Sequence, residues 1–303
     1  MSNKALHQPV MTTEAISGLN LKPNQWYIDA TFGRGGHTAQ ILANKAKIIA
    51  LDFDQKAIEY GEEKFATEIT DGKLILLRSN FAEIDQAIAS LKKENKVEQI
   101  KGILFDFGTS QDQLKSEDRG FSFDQPDSEL DMRMDQRLGV KAKDLLMMLS
   151  KQQLTDLFYK YGGEKQARKI AQAIDYYRGK NGENKIETVG QLVEIVEQVK
   201  TRFSHLHPAT KIFQALRIAV NAELENIEQG LSKCLNILDR PARIVTISFH
   251  QGEDRIAKMQ FKQWKEEKLG KIITKKPIKT SQAEIDKNPA ARSAKLRIFE
   301  LTK

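Results

Sequence analysis

The chain predicts an α/β fold, with a mostly parallel sheet covered by helices on both faces and interrupted after its fourth strand by an all-helical insertion. Three observations point there. Through the first third, short apolar runs alternate with longer amphipathic stretches. Residues 141–200 then carry helical patterns with no strand run among them, and afterwards the alternation resumes. A length of 303 residues gives room for one such sheet and a smaller inserted body.

The elements follow in order. Trp26–Phe32 (WYIDATF), Lys47–Asp52 (KIIALD), Leu74–Arg78 (LILLR) and Gly102–Phe107 (GILFDF) read as buried strands. Thr38–Lys45, Gln55–Ala66 and Ala82–Glu94 have helical length and spacing between them. Residues 108–135 are polar and loop-like. Ala142–Leu149, Lys151–Tyr161, Glu164–Arg178 and Val189–Lys200 read as helices, punctuated by Gly162-Gly163 and Gly179–Gly182. Thr210–Leu238 is one long helical pattern, Arg243–Phe249 a strand and Glu253–Lys268 an amphipathic helix. Lys271–Ile278 and Ala294–Phe299 complete seven strands. The expected division assigns residues 1–112 and 209–303 to the sheet domain and 113–208 to the insertion.

Composition narrows the function. With 40% hydrophobic and 29% charged residues the chain can bury a sizeable core. Cys234 is the single cysteine, so no internal disulfide can form, and no Cys/His cluster has zinc-finger spacing; no metal is expected. Apolar runs such as Ile48–Leu51 are too short to span a bilayer, and the first residues lack a signal or transit pattern. A cytoplasmic setting with no membrane partner is expected. The net charge of +7 is unevenly spread: −6 over residues 1–135, +6 over 136–211 and +7 over 253–303. Two basic regions after an acidic one suit a polyanionic partner such as nucleic acid, although a solvated Lys-rich surface would read the same way.

The sharpest local signal is Asp29-Ala-Thr-Phe-Gly33-Arg-Gly35-Gly36-His37, at the end of the first strand. Glycines there let the chain turn tightly, and the following helix offers free N–H groups. Asp52 ends the second strand, where an acid accepts hydrogen bonds from ribose hydroxyls. Asp29, just ahead of the glycines, disfavours a diphosphate by charge repulsion and suits a ligand carrying an ammonium and a sulfonium, namely S-adenosylmethionine. No Gly-Lys-Ser/Thr phosphate loop follows. Asp106 ends the fourth strand. Ligands of open parallel sheets bind outside the strand C-termini, so Asp29, Asp52 and Asp106 are expected in one crevice.

Longer blocks now carry a resemblance. Arg119-Gly-Phe-Ser-Phe123 and Leu130-Asp-Met-Arg-Met-Asp135 resemble the signature loop of the MraW/RsmH methyltransferases. So do His7-Gln-Pro-Val10 with Glu14, Asp29–Thr38, His207–Thr210, Phe213–Leu224, Ser248-Phe-His250 with Glu253–Ile256, and Asn288–Arg297, in family order along almost the whole chain. The resemblance implies a Rossmann-like class I methyltransferase that moves a methyl group from S-adenosylmethionine to N4 of a cytosine in small-subunit (16S) ribosomal RNA, near the decoding centre. It implies Gly35, Gly36, His37, Asp52, Phe81, Asp106 and Gln113 as cofactor-binding positions. The expected partner is small-subunit ribosomal RNA in an assembled or nearly assembled subunit, and a homodimer is compatible with this reading. Three stretches depart from the family pattern: Phe107–Gln113, Asp127–Leu130 and Ser248–Asp254.

A cytosine amine is a poor nucleophile, because its lone pair is delocalised into the ring. It must be held in line with the methyl–sulfur bond while an acceptor takes its N–H hydrogen bonds. Asp106 is the candidate catalytic acceptor, with Ser110 second. Phe121 or Phe123 could stack on the base, against the plainer reading that they pin their loop to the core. His37 reads as a cofactor contact and His250 as a loop-orienting residue. Met132 and Met134 read as loop packing. Lys160, Lys165, Arg168, Lys169 and Arg178 form the densest basic group of the insertion, and Lys275, Lys276 and Lys279 sit on the penultimate strand. Rival readings are an amino-methyltransferase for another RNA or DNA site, a nicotinamide-binding oxidoreductase, and a catalytically weak RNA-binding ribosome-assembly factor.

Overall fold

The computed structural model describes residues 9–108, 119–179, 184–200 and 207–302. The chain divides into two compact units, Met1–Gly108 with Leu224–Lys303, and Thr109–Glu223.

The first unit is built on one sheet. Its elements are α1 (Thr12–Leu19), β1 (Trp26–Asp29), α2 (Gly36–Ala43), β2 (Lys47–Asp52), α3 (Gln55–Lys64), α4 (Ala66–Thr70), β3 (Leu74–Arg78), α5 (Ile84–Lys93) and β4 (Ile100–Asp106). The strand order is β3-β2-β1-β4, followed by the later strands β5 (Ala242–Ser248), β8 (Lys295–Leu301) and β6 (Gly270–Ile272). β7 (Ile278–Lys279) also pairs with β8. β1 to β5 run parallel, and β8 is antiparallel to β5, β6 and β7.

Helices cover both faces, which is why the parallel strands are near-continuous apolar runs and not alternating ones. Ile28, Leu51, Ile103, Phe105 and Ile244 face one layer with Ile84 and Ile88 of α5, and with Phe261 and Trp264 further along the chain. Tyr27, Ile48, Leu104 and Val245 face the other, with Leu19 of α1 and Ile41 of α2. Cys234 is wholly buried in the first layer, its Sγ donating to the Leu231 carbonyl at 3.0 Å, and burial pushes its thiol pKa up.

The second unit is helical: α6 (Ala142–Met148), α7 (Lys151–Lys160), α8 (Ala167–Arg178), α9 (Val189–Val199) and α10 (Thr210–Val220). α8 packs on α7 and α9, and α10 packs on α6 and α7. Ahead of α6, the Met-Arg-Met loop is clamped by one side chain. Asn221 accepts the Met134 N–H through Oδ1 and donates through Nδ2 to the Met132 carbonyl, both at 2.8 Å. Met132 and Met134 are buried, as packing of that loop requires.

Several expectations change here. Among the described residues the sheet has eight strands, not seven, because the run expected as Lys271–Ile278 is two short strands separated by the Lys275-Lys276-Pro277 turn. Lys275 and Lys276 therefore stand in a turn, and only Lys279 is in a strand. The long helix expected over 210–238 breaks at Ala222, whose φ is 48°, giving α10 and α11 (Glu223–Cys234). α10 belongs to the helical unit, so the boundary falls after Glu223, where 208/209 was expected, and the first boundary falls at 108/109 against 112/113. Arg178 is not a surface cation: it is 8% exposed and donates to the carbonyls of Leu146, Met147 and Leu149, closing the end of α6. Two further helices, α12 (Gln251–Glu266) and α13 (Gln282–Lys287), complete the sheet unit.

Candidate active site

The chain leaves β1 towards β2 and β3 on one side and crosses to β4 and β5 on the other. The switch in direction falls between β1 and β4, where doubly wound sheets open a ligand crevice beyond the strand C-termini. Asp29, Asp52 and Asp106 each close a strand on that edge.

Asp29 forms the wall. It is fully buried, and its carboxylate accepts the Thr31 N–H at 3.2 Å and the Thr38 hydroxyl at 2.8 Å, tying β1 to α2. Asp52 holds the glycine turn: Oδ2 accepts the Gly33 N–H at 2.8 Å and Oδ1 the Asp54 N–H at 2.9 Å. Each oxygen keeps a further lone pair for a ligand hydroxyl. Asp106 is different. Its backbone N–H donates to Thr31 Oγ1 at 2.9 Å, and its carboxylate is 22% exposed. Oδ1 is buried without a hydrogen-bond partner among the described residues. Oδ2 lies 3.7 Å from His37 Nδ1.

All three acids have raised pKa values, chiefly through burial, and the Asp29 charge adds to the rise at the other two. Burial pushes Asp29 up, opposed by His37 and by its hydrogen bonds. Burial pushes Asp52 up to about 6 in spite of the two backbone N–H groups it accepts, and the charges of Asp54 and Asp29 add to the rise. Asp106 is held well above the ordinary carboxylate range by burial, then by the charges of Asp29 and Glu253. Such a constellation is unstable alone and receptive to a cation.

Gly33 and Gly35 have φ of 54° and 67°, the left-handed conformation that turns β1 into α2. Gly35 has a second reason to be glycine. A Cβ there would stand 2.5 Å from the Phe65 ring and 2.7 Å from the Phe32 ring, so its bare face packs on aromatic side chains. A Cβ on Gly36 would meet Pro9 at 2.8 Å. His37 is 4% exposed and its Nε2 lies 3.0 Å from the Val10 carbonyl. Nδ1 of the ring faces Asp106, and a ring protonated on both nitrogens would place its charge beside that carboxylate. Phe81, in the turn after β3, packs on Phe105 at 5.8 Å and Phe107 at 6.2 Å between ring centroids. Ser110 and Gln113 lie outside the described residues.

Two contributors escaped the sequence reading. Thr31 ties the ends of β1 and β4 through its hydroxyl, and the Asp-x-Thr spacing that makes a turn could have shown it. Glu253, fully buried at the start of α12, accepts the Phe249 and His250 N–H groups, while His250 Nδ1 accepts those of Gly252 and Glu253. This is a reciprocal cap with histidine where serine or threonine is usual. Burial would raise the Glu253 pKa, but its bonds from His250 and the backbone hold it low. His250 thus orients its loop. In the helical unit Phe121 is buried, and Phe123 stacks on His207 at 4.4 Å and meets Phe213 edge-on at 4.6 Å. Both rings pin their loop.

A Rossmann-like sheet whose ligand edge is lined by carboxylates, with no phosphate loop, defines a class I methyltransferase. The chain belongs to the MraW methylase family, whose model matches residues 4–302. It is 44% identical to the ribosomal RNA small subunit methyltransferase H of Sulfurihydrogenibium sp. (strain YO3AOP1), covering 96% of this chain and 98% of that one. Proteins of the same name from Coprothermobacter proteolyticus and Desulfotalea psychrophila are 40% and 41% identical, each over 99% of this chain and over 97% and 99% of their own. No helix among the described residues is long and apolar enough to cross a membrane.

Proposed function

We propose that this methyltransferase transfers a methyl group from S-adenosylmethionine to the exocyclic N4 of a cytosine in small-subunit ribosomal RNA near the decoding centre, in the cytoplasm, on an assembled or nearly assembled subunit. The observation that carries the reading is the full-length match to relatives named for that substrate. The acid-lined edge supplies chemistry that fits it.

The site suits the cofactor. S-adenosylmethionine, when bound, supplies an electrophilic methyl group on a cationic sulfonium. Asp106 Oδ1, buried and unpartnered among the described residues, and the fully buried Asp29 offer the negative field that such a cation requires. Asp52 has lone pairs to accept ribose hydroxyls, the turn Gly35-Gly36-His37 sits beside it, and Phe81 borders the same edge; Gln113 is assigned by resemblance. Asp106 is the catalytic acceptor: its carboxylate, ionised once the cofactor's positive charge is beside it, accepts a hydrogen bond from the cytosine amine, favours a pyramidal nitrogen, and receives the proton that the nitrogen sheds as it takes the methyl group. Ser110 is a secondary candidate. His37 positions Asp106 through the Nδ1 side of a ring locked on Val10.

The test is nucleoside mass spectrometry after offering labelled cofactor with small subunits lacking the modification and with naked ribosomal RNA. N4-methylcytidine on the subunit is the expected product. Its absence from both substrates would overturn the reading, and light scattering of the loaded protein reads whether it works as a homodimer.

A further inference from the structure

The block Asn288–Arg297 is not used by the crevice described above, yet its residues come to the same sheet edge. A cavity of about 290 Å³ lies there, lined among others by Phe249, His250, Lys279, Arg292 and Lys295. The cations come from three separate elements: β7, the 3₁₀ turn Pro289–Ser293, and the first position of β8. Among the described residues no carboxylate lines the cavity. Among those same residues Lys279 and Arg292 have no anionic partner. Lys295 lies 3.4 Å from Asp254, but Arg297 already holds that carboxylate at 2.7 and 3.2 Å, so the surplus positive charge stays with the cavity.

Position relates this cavity to the crevice. β5 runs parallel beside β4 with Ile247 opposite Asp106, so Phe249 and His250 lie just past the strand end next to the catalytic acceptor. Neighbouring strands are about 4.8 Å apart, and the Phe249 ring borders Gly108, two residues after Asp106. The start of α12 adds little attraction of its own, because His250 and Glu253 already occupy its first N–H groups. The side chains therefore make the site.

We infer that Lys279, Arg292 and Lys295 form a subsite for a backbone phosphodiester of the RNA strand, one that flanks the methylated nucleotide. This deepens the function proposed above and rests on it. S-adenosylmethionine bears no phosphate and is cationic at its sulfonium, so the unpaired Lys279 and Arg292, with Lys295 sharing Asp254 with Arg297, favour a polyanion over it. An RNA strand entering the crevice brings a phosphate within one nucleotide of its base, and side-chain cations of this kind fix its register without reading sequence.

The test uses the whole protein carrying Lys279→Gln and Arg292→Gln together, with Lys93→Gln as control. Lys93 ends α5, which runs back to the opposite sheet edge. Both substituted cavity residues are exposed, and cofactor binding by calorimetry checks that the variant is folded. On small subunits the double variant is expected to raise KM about tenfold. The log–log dependence of its RNA affinity on salt should become shallower by about 0.7–0.9 for each phosphate that is no longer neutralised. The control should match wild type, and Lys279→Arg with Arg292→Lys should restore most of the affinity. A double variant with the KM and salt slope of the control would overturn the subsite. So would weakened binding of polyglutamate with unchanged RNA affinity, which would assign the cavity to an acidic protein. If the wild-type protein makes no N4-methylcytidine, the function reading fails by itself; filter binding of RNA to wild type and double variant then still decides the cavity.

Discussion

Two stretches of one sheet edge carry opposite charge. β1, β2 and β4 end in Asp29, Asp52 and Asp106, while the region beyond β5 presents Lys279, Arg292 and Lys295. The sequence follows the same split: residues 1–108 carry a net −1 and residues 224–303 a net +7. The helical unit, residues 109–223, is nearly neutral at +1, because the acidic loop before α6 offsets its basic helices. Surplus charge therefore sits in the sheet unit, beside the site. Each stretch is destabilised by its own like charges and relieved by a ligand of the other sign. Separating them lets one edge hold a cationic cofactor and an anionic strand without either neutralising the other's site.

The largest effect should come from breaking the acid side. Asp106→Asn is expected to lower kcat by about 10²- to 10³-fold, the usual size for one electrostatic contributor. It should also stabilise the free protein at pH 8, since a neutral amide removes a buried charge. Thermal unfolding from pH 4 to 8 would check this, with the gain disappearing at the acid end. Next, Gly35→Ala should cost about 1–3 kcal/mol of stability through its left-handed φ, plus whatever Phe32 and Phe65 must yield, read by chemical denaturation with and without cofactor.

A pH series sharpens the comparison further. Asp29, Asp52 and Asp106 have raised folded pKa values, so their stabilising contribution is complete below the unfolded value and is lost as pH rises through the folded one. For Asp52 that window runs from 3.8 to about 6. A bound cation opposes the rise at Asp29 and Asp106. Cofactor binding should therefore release protons, and tighten as pH rises toward the raised folded pKa values of these two acids, measured by calorimetry in buffers of different ionisation enthalpy. The smallest expected effect is at Glu253, which stands between the two stretches. Glu253→Gln should cost about 1 kcal/mol through the weakened cap and shift the acid limb of the rate profile to lower pH, because one of the charges raising the Asp106 pKa is gone.

The four N-terminal strands were legible because both faces are covered and each is an apolar run bounded by polar residues. The three strand-end acids were legible for the same reason, each closing such a run. What escaped depended on partners distant in sequence. Arg178 looks like one cation of a basic helix until the carbonyls at the end of α6 are seen around it. Gly35 reads as a ligand-approach glycine until two phenylalanines occupy the space its side chain would need. The 210–238 pattern keeps helical periodicity across Ala222, so the break left no local mark apart from Asn221, whose side chain is taken by the Met-Arg-Met loop. α1 passed unnoticed because its apolar positions are few.

Cys234 gives the molecule an internal reporter. Its thiol is fully buried in the layer that α5 and α12 share with the sheet, and that burial holds it in the protonated, unreactive form. With no other cysteine in the chain, a thiol-directed label can enter only when this layer opens. Labelling kinetics thus give the opening free energy of the sheet core at one defined point. Adding cofactor, RNA or both to the same measurement would show which ligand braces the layer beneath the active edge.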